Sequence, residues 1–207
     1  MNILVTYVSR SGSTRDIAGR IGEELRAQGF EVEVRPAQEV ADLSVYTGVI
    51  AGGLLYRLGW HPELVRFLRK HRAALSEKKV AFFVTGLRLT RTPALEREAF
   101  PVFVDPAIET LPVVPGRLSL ADWFTTFPRY LGPVLPLLRE IQPLGLAFFA
   151  GSLQLFSLSP FERLTAILLM ALAGIQPGDH RNWDSVRAWS LWICQEWAGA
   201  DVNLPSG

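Results

Sequence analysis

A loop rich in hydroxyl groups stands near the start of the chain. Its six residues are Ser9, Arg10, Ser11, Gly12, Ser13 and Thr14. An apolar run at residues 3–8 precedes it and apolar residues spaced by four follow it, which predicts a strand, a loop and a helix. The free N–H groups at the start of a helix attract anions, hydroxyls add neutral donors, and Gly12 lets the backbone approach a ligand closely. The spacing therefore predicts a phosphate site.

The composition of this loop excludes the common nucleotide motifs. It has one glycine and no lysine, so it matches neither the G-x-x-x-x-G-K-[ST] loop for nucleoside triphosphates nor the G-x-G-x-x-G loop for dinucleotides. A monophosphate dianion held by many short neutral donors fits it better. The alternative left open is a serine-rich turn in which Ser13 or Thr14 is the N-cap of the helix.

Overall composition bounds the class of protein. A chain of 207 residues with 49% hydrophobic residues fits one domain with a sizeable core. The net charge of +1 argues against a nucleic-acid binder. A single cysteine, Cys194, excludes a disulfide framework, and three histidines without metal-binding spacing give no support to a metal site. The N-terminus lacks a basic region and a cleavage site, so we expect a cytoplasmic protein.

Strands and helices are predicted to alternate along the chain. Strands are predicted at residues 3–8, 30–35, 48–53, 80–85 and 144–150, and helices at 14–28, 62–75, 133–141, 160–173 and 183–197. The continuous apolar run at 80–85 is typical of a central parallel strand, and the alternation at 30–35 is typical of an edge strand. Ligands of open parallel sheets bind at the carboxyl ends of the strands. We therefore expect the loops after the first, third and fourth strands to converge.

A proline-rich insertion separates the fourth and fifth strands, at about residues 87–143. Ten of the 14 prolines lie between Pro93 and Pro160, which excludes long regular helices from most of the insertion. The segment is also rich in aromatic residues, so we expect packed structure rather than a disordered linker. The apolar helix at 160–173 is either a core helix or an interfacial one, which leaves open a peripheral contact with the inner face of the membrane.

Five motifs together resemble a known family. They are V-T-Y-x-S-R-S-G-S-T-R-x-I-A, G-W-H-P-E-L-V-R-F-L-R-K-H, A-G-S-L, S-P-F-E-R-L and H-R-N-W-D-S-V-R-A-W. The chain resembles the flavodoxin-domain family that includes the menaquinone-dependent protoporphyrinogen oxidases. This resemblance implies an α/β fold of the flavodoxin-like type, with a doubly wound five-stranded parallel sheet in the order 2-1-3-4-5. It implies one domain over residues 1–207, with the proline-rich insertion between strands 4 and 5.

The resemblance also implies FMN as the cofactor, with its phosphate held by the hydroxyl loop. The residues implied to flank the isoalloxazine ring, or to lie at the same rim, are Leu54, Leu55, Tyr56, Arg57, Thr85, Gly86, Leu87, Arg88, Gly151 and Ser152. Tyr56 would stack on the ring or form a rim aromatic. The implied substrate-binding residues are Arg57, His61, Arg88 and Arg91. The arginines would favour reduced anionic flavin and bind carboxylates such as porphyrin propionates, or be solvated surface residues. His61 would shuttle protons or cap the following helix.

Two classes of function remain open. The first is an FMN-dependent oxidoreductase, similar to protoporphyrinogen dehydrogenase, that passes electrons from a reduced small-molecule substrate, such as a porphyrinogen, through FMN to a quinone-type acceptor. The second is a flavodoxin-type electron-transfer protein without a substrate conversion of its own. The near-neutral charge and the aromatic insertion favour the enzyme, because a carrier would present an acidic rim to its partner. The sequence departs from the oxidases after the third strand, where Tyr56 precedes Arg57, and in its proline-rich insertion. The oligomeric state is left open.

Overall fold

The structure, a computed structural model, describes residues 1–56, 59–90, 92, 100–110, 118–119, 122–123, 125–153 and 178–199. The predicted helix at 160–173 lies outside the described residues, as do Arg57, Arg91 and the side chain of Tyr56. Among the described residues, no helix is long and apolar enough to cross a membrane.

The elements follow the predicted alternation of strands and helices. The strands are β1 Asn2–Tyr7, β2 Glu31–Pro36, β3 Gly48–Tyr56, β4 Gly59–Trp60, β5 Lys79–Gly86, β6 Leu89–Thr90, β7 Val102–Val104, β8 Glu109–Thr110, β9 Gly145–Ala150, β10 Ser152–Leu153 and β11 Gly178–Asp179. The helices are α1 Ser13–Ala27, α2 Pro62–Ser76, α3 Phe127–Leu131, α4 Leu135–Ile141 and α5 Trp183–Ala198, with a 3₁₀ turn at Ala37–Glu39.

The central sheet has the strand order β2-β1-β3-β5-β9-β7, and neighbouring strands in this row are parallel. With β5 and β9 as the fourth and fifth strands, the predicted order 2-1-3-4-5 is confirmed. The sheet also has a further parallel strand, β7, which pairs with β9. The resemblance implies five strands, so β7, which belongs to the insertion, is a strand beyond that number. The three residues of β7, between Pro101 and Asp105, are too few to show a strand pattern, and β7 depends on its pairing with β9.

Strands β3 and β4 pair with each other where the sequence predicts a loop after the third strand. Strand β3 continues to Tyr56, and β4 returns antiparallel to it, pairing Leu55 with Trp60. Residues 52–54 pair in parallel with residues 83–85 of β5, which explains why the strand does not end at the glycine pair. Pro62 then occupies the first turn of α2, as predicted.

Two hydrophobic layers cover the two faces of the sheet. Phe82 and Phe83 of β5 are fully buried and belong to different layers, because successive residues of a strand point to opposite faces. Helix α5 packs over one layer, and its Trp189 is fully buried there. Cys194 is also buried there, and burial raises the pKa of its thiol to about 11.

Candidate functional site

The hydroxyl loop lies between the end of β1 and the start of α1. Gly12 is the N-cap of α1 and has a left-handed backbone with a φ of 92°, a conformation that glycine adopts without steric cost. No side chain caps this helix. The alternative of a cap by Ser13 or Thr14 is therefore wrong, since α1 begins at Ser13 itself. The first N–H groups of an α-helix have no acceptor within the helix, so this end of α1 can bind an anion.

The four hydroxyls of the loop divide into an inner and an outer pair. Ser13 and Thr14 are buried, with 7% and 2% exposure. The Ser13 hydroxyl accepts a hydrogen bond of 2.9 Å from the Ser152 N–H, and the Thr14 hydroxyl lies 2.9 Å from that of Thr85. In the outer pair, Ser9 is half-buried and accepts a 3.1 Å bond from the Gly12 N–H, while Ser11 is exposed. The inner hydroxyls thus join the loop to the sheet, and the outer ones lie nearer to solvent.

The loops at the carboxyl edge of the sheet meet, as the sequence predicted. The Val8 N–H donates to the Gly52 carbonyl over 2.9 Å, and the Gly151 N–H donates to the Gly86 carbonyl over 2.8 Å. A Cβ placed on Gly86 would lie 2.9 Å from Cδ1 of Leu55, so the side chain of Leu55 covers this glycine. The ends of β1, β3, β5 and β9 therefore form one continuous rim.

The closing motif H-R-N-W-D attaches to the same rim. The His180 N–H donates to the Gly151 carbonyl over 3.2 Å. The Arg181 guanidinium forms two ion pairs, one with Asp179 at 2.6 Å and one with Asp16, in the first turn of α1, at 2.8 Å. It also lies over the Trp183 ring. The hydrogen bond from Arg181 holds the pKa of Asp179 below its ordinary value. This motif therefore links the start of α5 to the end of β9 and to α1.

Asp105 is a buried carboxylate that the sequence analysis missed. It follows β7 directly and has no exposed surface. It accepts four hydrogen bonds from the Ala107 N–H at 3.0 Å, the Asn182 amide at 3.1 Å, the Ser185 hydroxyl at 3.2 Å and the Ala150 N–H at 3.1 Å. In the sequence, Asp105 is marked only by its place after a three-residue apolar run. This pattern does not distinguish a buried structural carboxylate from an aspartate in a turn.

Arg88 pairs with a carboxylate of the insertion. One of its terminal nitrogens lies 2.6 Å from Oδ1 of Asp122, which is fully buried and also accepts a 2.6 Å bond from the Ser119 hydroxyl. The Ser119 hydroxyl, together with Arg88, holds the pKa of Asp122 below its ordinary value. The Tyr130 hydroxyl donates to the Arg88 carbonyl over 3.4 Å, and burial raises the pKa of Tyr130 to about 12. The sequence predicts Arg88 either as a cation facing the flavin or substrate or as a solvated surface residue; in this structure Asp122 compensates its charge.

His61 has the capping geometry that was one of its two predicted roles. Its Nδ1 accepts a 3.3 Å bond from the Glu63 N–H at the start of α2. Burial lowers the pKa of His61, which favours the neutral imidazole that can accept this bond, and the nearby charge of Arg10 acts in the same direction. The predicted roles of Arg57, Arg91 and the Tyr56 side chain stay predictions.

Comparison with known proteins places this architecture in a family. A family model described as "Flavodoxin domain" matches residues 4–122, more than half of the chain. The chain belongs to the flavodoxin domain family.

Individual relatives are more distant. Over 132 residues the chain is 23% identical to protoporphyrinogen IX dehydrogenase (quinone) of Escherichia coli strain K12. The aligned region covers 63% of this chain and 72% of that protein. Among solved structures, flavodoxin 2 from Bacillus cereus has a TM-score of 0.47 at 18% identity, covering 95% of this chain and 99% of that one. A flavodoxin from the domain Archaea has a TM-score of 0.43 at 13% identity, covering 84% of this chain and 97% of that one.

Proposed function

We propose that this protein binds FMN at its hydroxyl loop and is an FMN-dependent oxidoreductase. It would take electrons from a reduced small molecule of the porphyrinogen class and pass them to a quinone. The observation that carries the proposal is the helix N-terminus of α1, without a side-chain cap, at the rim where the ends of β1, β3, β5 and β9 meet. Membership of the flavodoxin domain family supports the cofactor, and the name of the Escherichia coli relative supports the reaction class.

The donors and charges of the loop fit a phosphate monoester. Ser9 and Ser11 have hydroxyl hydrogens to donate, and the first turn of α1 has its backbone N–H groups. Residues 9–15 contain two arginines and no carboxylate. The first acidic residue, Asp16, pairs with Arg15 at 3.0 Å and with Arg181 at 2.8 Å, so its negative charge is compensated. A dianion at the loop would therefore meet donors and positive charge.

The rim beside the loop fits the isoalloxazine ring. Leu54 and Leu55 are half-buried at the end of β3, and Gly86 ends β5 next to them without a side chain of its own. An apolar wall of this kind would orient the ring and exclude water from one of its faces. FMN, when bound, supplies hydride and one-electron chemistry, while the protein supplies its position and electrostatics.

The insertion favours an enzyme over a carrier. The ion pair between Arg88 and Asp122, and the bond from Tyr130 to the Arg88 carbonyl, hold residues of the insertion against the loop after β5. The insertion would then border the flavin edge and contribute to a substrate site. The second candidate is an electron-transfer flavodoxin, which family membership fits equally well.

Flavin titrations test the cofactor site. The double variant Ser9→Ala/Ser11→Ala should bind FMN at least about tenfold more weakly than the wild type, because it removes two donors to a charged group. Its affinity for riboflavin, which lacks the phosphate, should stay within about twofold. The matched control is Ser76→Ala, whose hydroxyl bonds within α2 and should leave both affinities unchanged. An unchanged FMN affinity in the double variant would exclude the loop as the phosphate site.

A turnover assay then separates the two candidate functions. The holoprotein is mixed with protoporphyrinogen and a soluble quinone, and porphyrin fluorescence is followed. A protein-dependent rise supports the oxidoreductase. If FMN binds but no porphyrin forms, the substrate proposal fails and the carrier remains. If FMN does not bind, both functions fail.

A further inference from the structure

We infer that Asp105 is a positioning residue for the phosphate loop and acts through the end of β9. The inference rests on the proposed FMN site. Asp105 lies in the insertion, directly after β7, so it links this segment to the proposed cofactor site. Its carboxylate is fully buried, a costly state unless hydrogen bonds compensate the charge, and four donors do so here.

The two carboxylate oxygens hold different parts of the molecule. Oδ1 accepts from the Asn182 amide at 3.1 Å and the Ser185 hydroxyl at 3.2 Å, both at the start of α5, and from the Ala107 N–H at 3.0 Å. Oδ2 accepts from the Ala150 N–H at 3.1 Å, at the end of β9. The first oxygen therefore holds the helix, and the second holds the strand.

Three consecutive residues at the end of β9 and directly after it, Ala150, Gly151 and Ser152, connect Asp105 to the hydroxyl loop through hydrogen bonds. Ala150 donates to Asp105 over 3.1 Å, and Gly151 donates to the Gly86 carbonyl over 2.8 Å. Ser152 then donates to the Ser13 hydroxyl over 2.9 Å. Ser13 is the first residue of α1, whose N–H groups would bind the phosphate. A shift at Ala150 would therefore reach the phosphate donors within two residues.

Asparagine at position 105 is a selective change. Its single carbonyl oxygen can replace Oδ1 and keep the Ala107, Asn182 and Ser185 donors. Its NH₂ group would then face the Ala150 N–H, donor against donor, and that bond would be lost. The matched control is Ser185→Ala, which removes one donor to the same carboxylate and leaves the bond from Ala150 in place.

The experiment measures the affinities of wild type, Asp105→Asn and Ser185→Ala for FMN and for riboflavin. Asp105→Asn should weaken FMN binding about tenfold and riboflavin binding less than about twofold, because Ser152 transmits the lost bond to Ser13 beside the phosphate donors, whereas Leu54 and Leu55 of the apolar wall belong to β3. Ser185→Ala should change both less than about twofold. Equal weakening of both flavins in Asp105→Asn, or no weakening, would overturn the inference. If the wild type binds FMN no more tightly than riboflavin, the proposed phosphate site itself fails, which is a distinct result.

A second measurement decides the matter should Asp105→Asn not fold. Amide hydrogen exchange of the wild type is compared at saturating FMN and at saturating riboflavin. FMN should slow exchange at Ala150 and Ser152 more than riboflavin does, with Ile193 in the middle of α5 as the internal reference. Equal exchange at these two amides with both flavins would overturn the inference.

Discussion

The hydroxyl oxygens of Thr14 and Thr85 lie 2.9 Å apart in a buried environment. They are 71 residues apart in the sequence, one in the first turn of α1 and the other near the end of β5. Their hydrogen bond joins the proposed phosphate loop to the strand whose end would border the flavin ring. This buried pair of hydroxyls therefore contributes to the separation between these two parts of the site.

Replacing either threonine by valine should lower the free energy of unfolding by about 1–2 kcal/mol, because the remaining hydroxyl is left buried without its partner. The double variant Thr14→Val/Thr85→Val should cost less than the sum of the two single variants, with a coupling of about 1 kcal/mol. Urea unfolding of the four proteins measures this cycle. Strictly additive effects would show that the two hydroxyls do not interact.

Arg88→Gln should destabilise the protein by about 3 kcal/mol, because it leaves the buried carboxylate of Asp122 without its cation. Arg129 serves as the control, since its guanidinium lies over the half-exposed Trp123 ring at 5.0 Å. Arg129→Gln should cost less than about 1 kcal/mol. Chemical denaturation compares the two variants, and equal losses would contradict a structural role for the pair.

Two glycines of α1 should respond to alanine in opposite directions. A Cβ on Gly19 would have no heavy atom within 4 Å, whereas a Cβ on Gly22 would lie 2.6 Å from Cγ2 of Val34. Gly19→Ala should stabilise the protein by about 0.5–1 kcal/mol, because alanine favours the helix. Gly22→Ala should destabilise it by about 1–3 kcal/mol, because Val34 must move. Urea midpoints that shift in the same direction for both variants would contradict this packing.

Stability should fall on acidification partly because of His71. This side chain is buried against Phe67, and burial lowers its pKa below the ordinary value of 6.5. Between the lowered pKa and 6.5 the unfolded chain binds more protons than the folded one, so stability is complete above this window and decreases as the pH falls through it. His71→Asn should reduce the loss of unfolding free energy between about pH 7.5 and 5.

Denaturant unfolding at a series of pH values measures this slope for the wild type and the variant. The pKa of His61 is also lowered by burial, but His61 is present in both proteins, so its contribution cancels in the comparison. Identical slopes would show that His71 does not take up a proton on unfolding.

Local patterns were sufficient to predict most of the framework. The continuous apolar run of β5 and the alternation in β2 predicted a central and an edge strand, and both are confirmed. Gly29, which follows the C-cap Gln28 of α1, has a φ of 85°, and a glycine at this position is a local signal for the end of a helix. The spacing of apolar residues predicts which face of an element is buried, and turn residues predict where the element ends. Both signals are local in the sequence, so they do not require knowledge of the fold.

The sequence by itself determined the hydroxyl loop, the order of the main strands and the central position of the apolar strand β5. Only the tertiary structure decided that Ser13 and Thr14 face the sheet, that β7 joins it, and that Arg88 pairs with Asp122, 34 residues away. It also decided the role of Asp105, whose partners on α5 are 77 and 80 residues distant. The physical reason is that a buried polar group takes whichever donor or acceptor the fold brings within about 3 Å, and no local spacing encodes that partner.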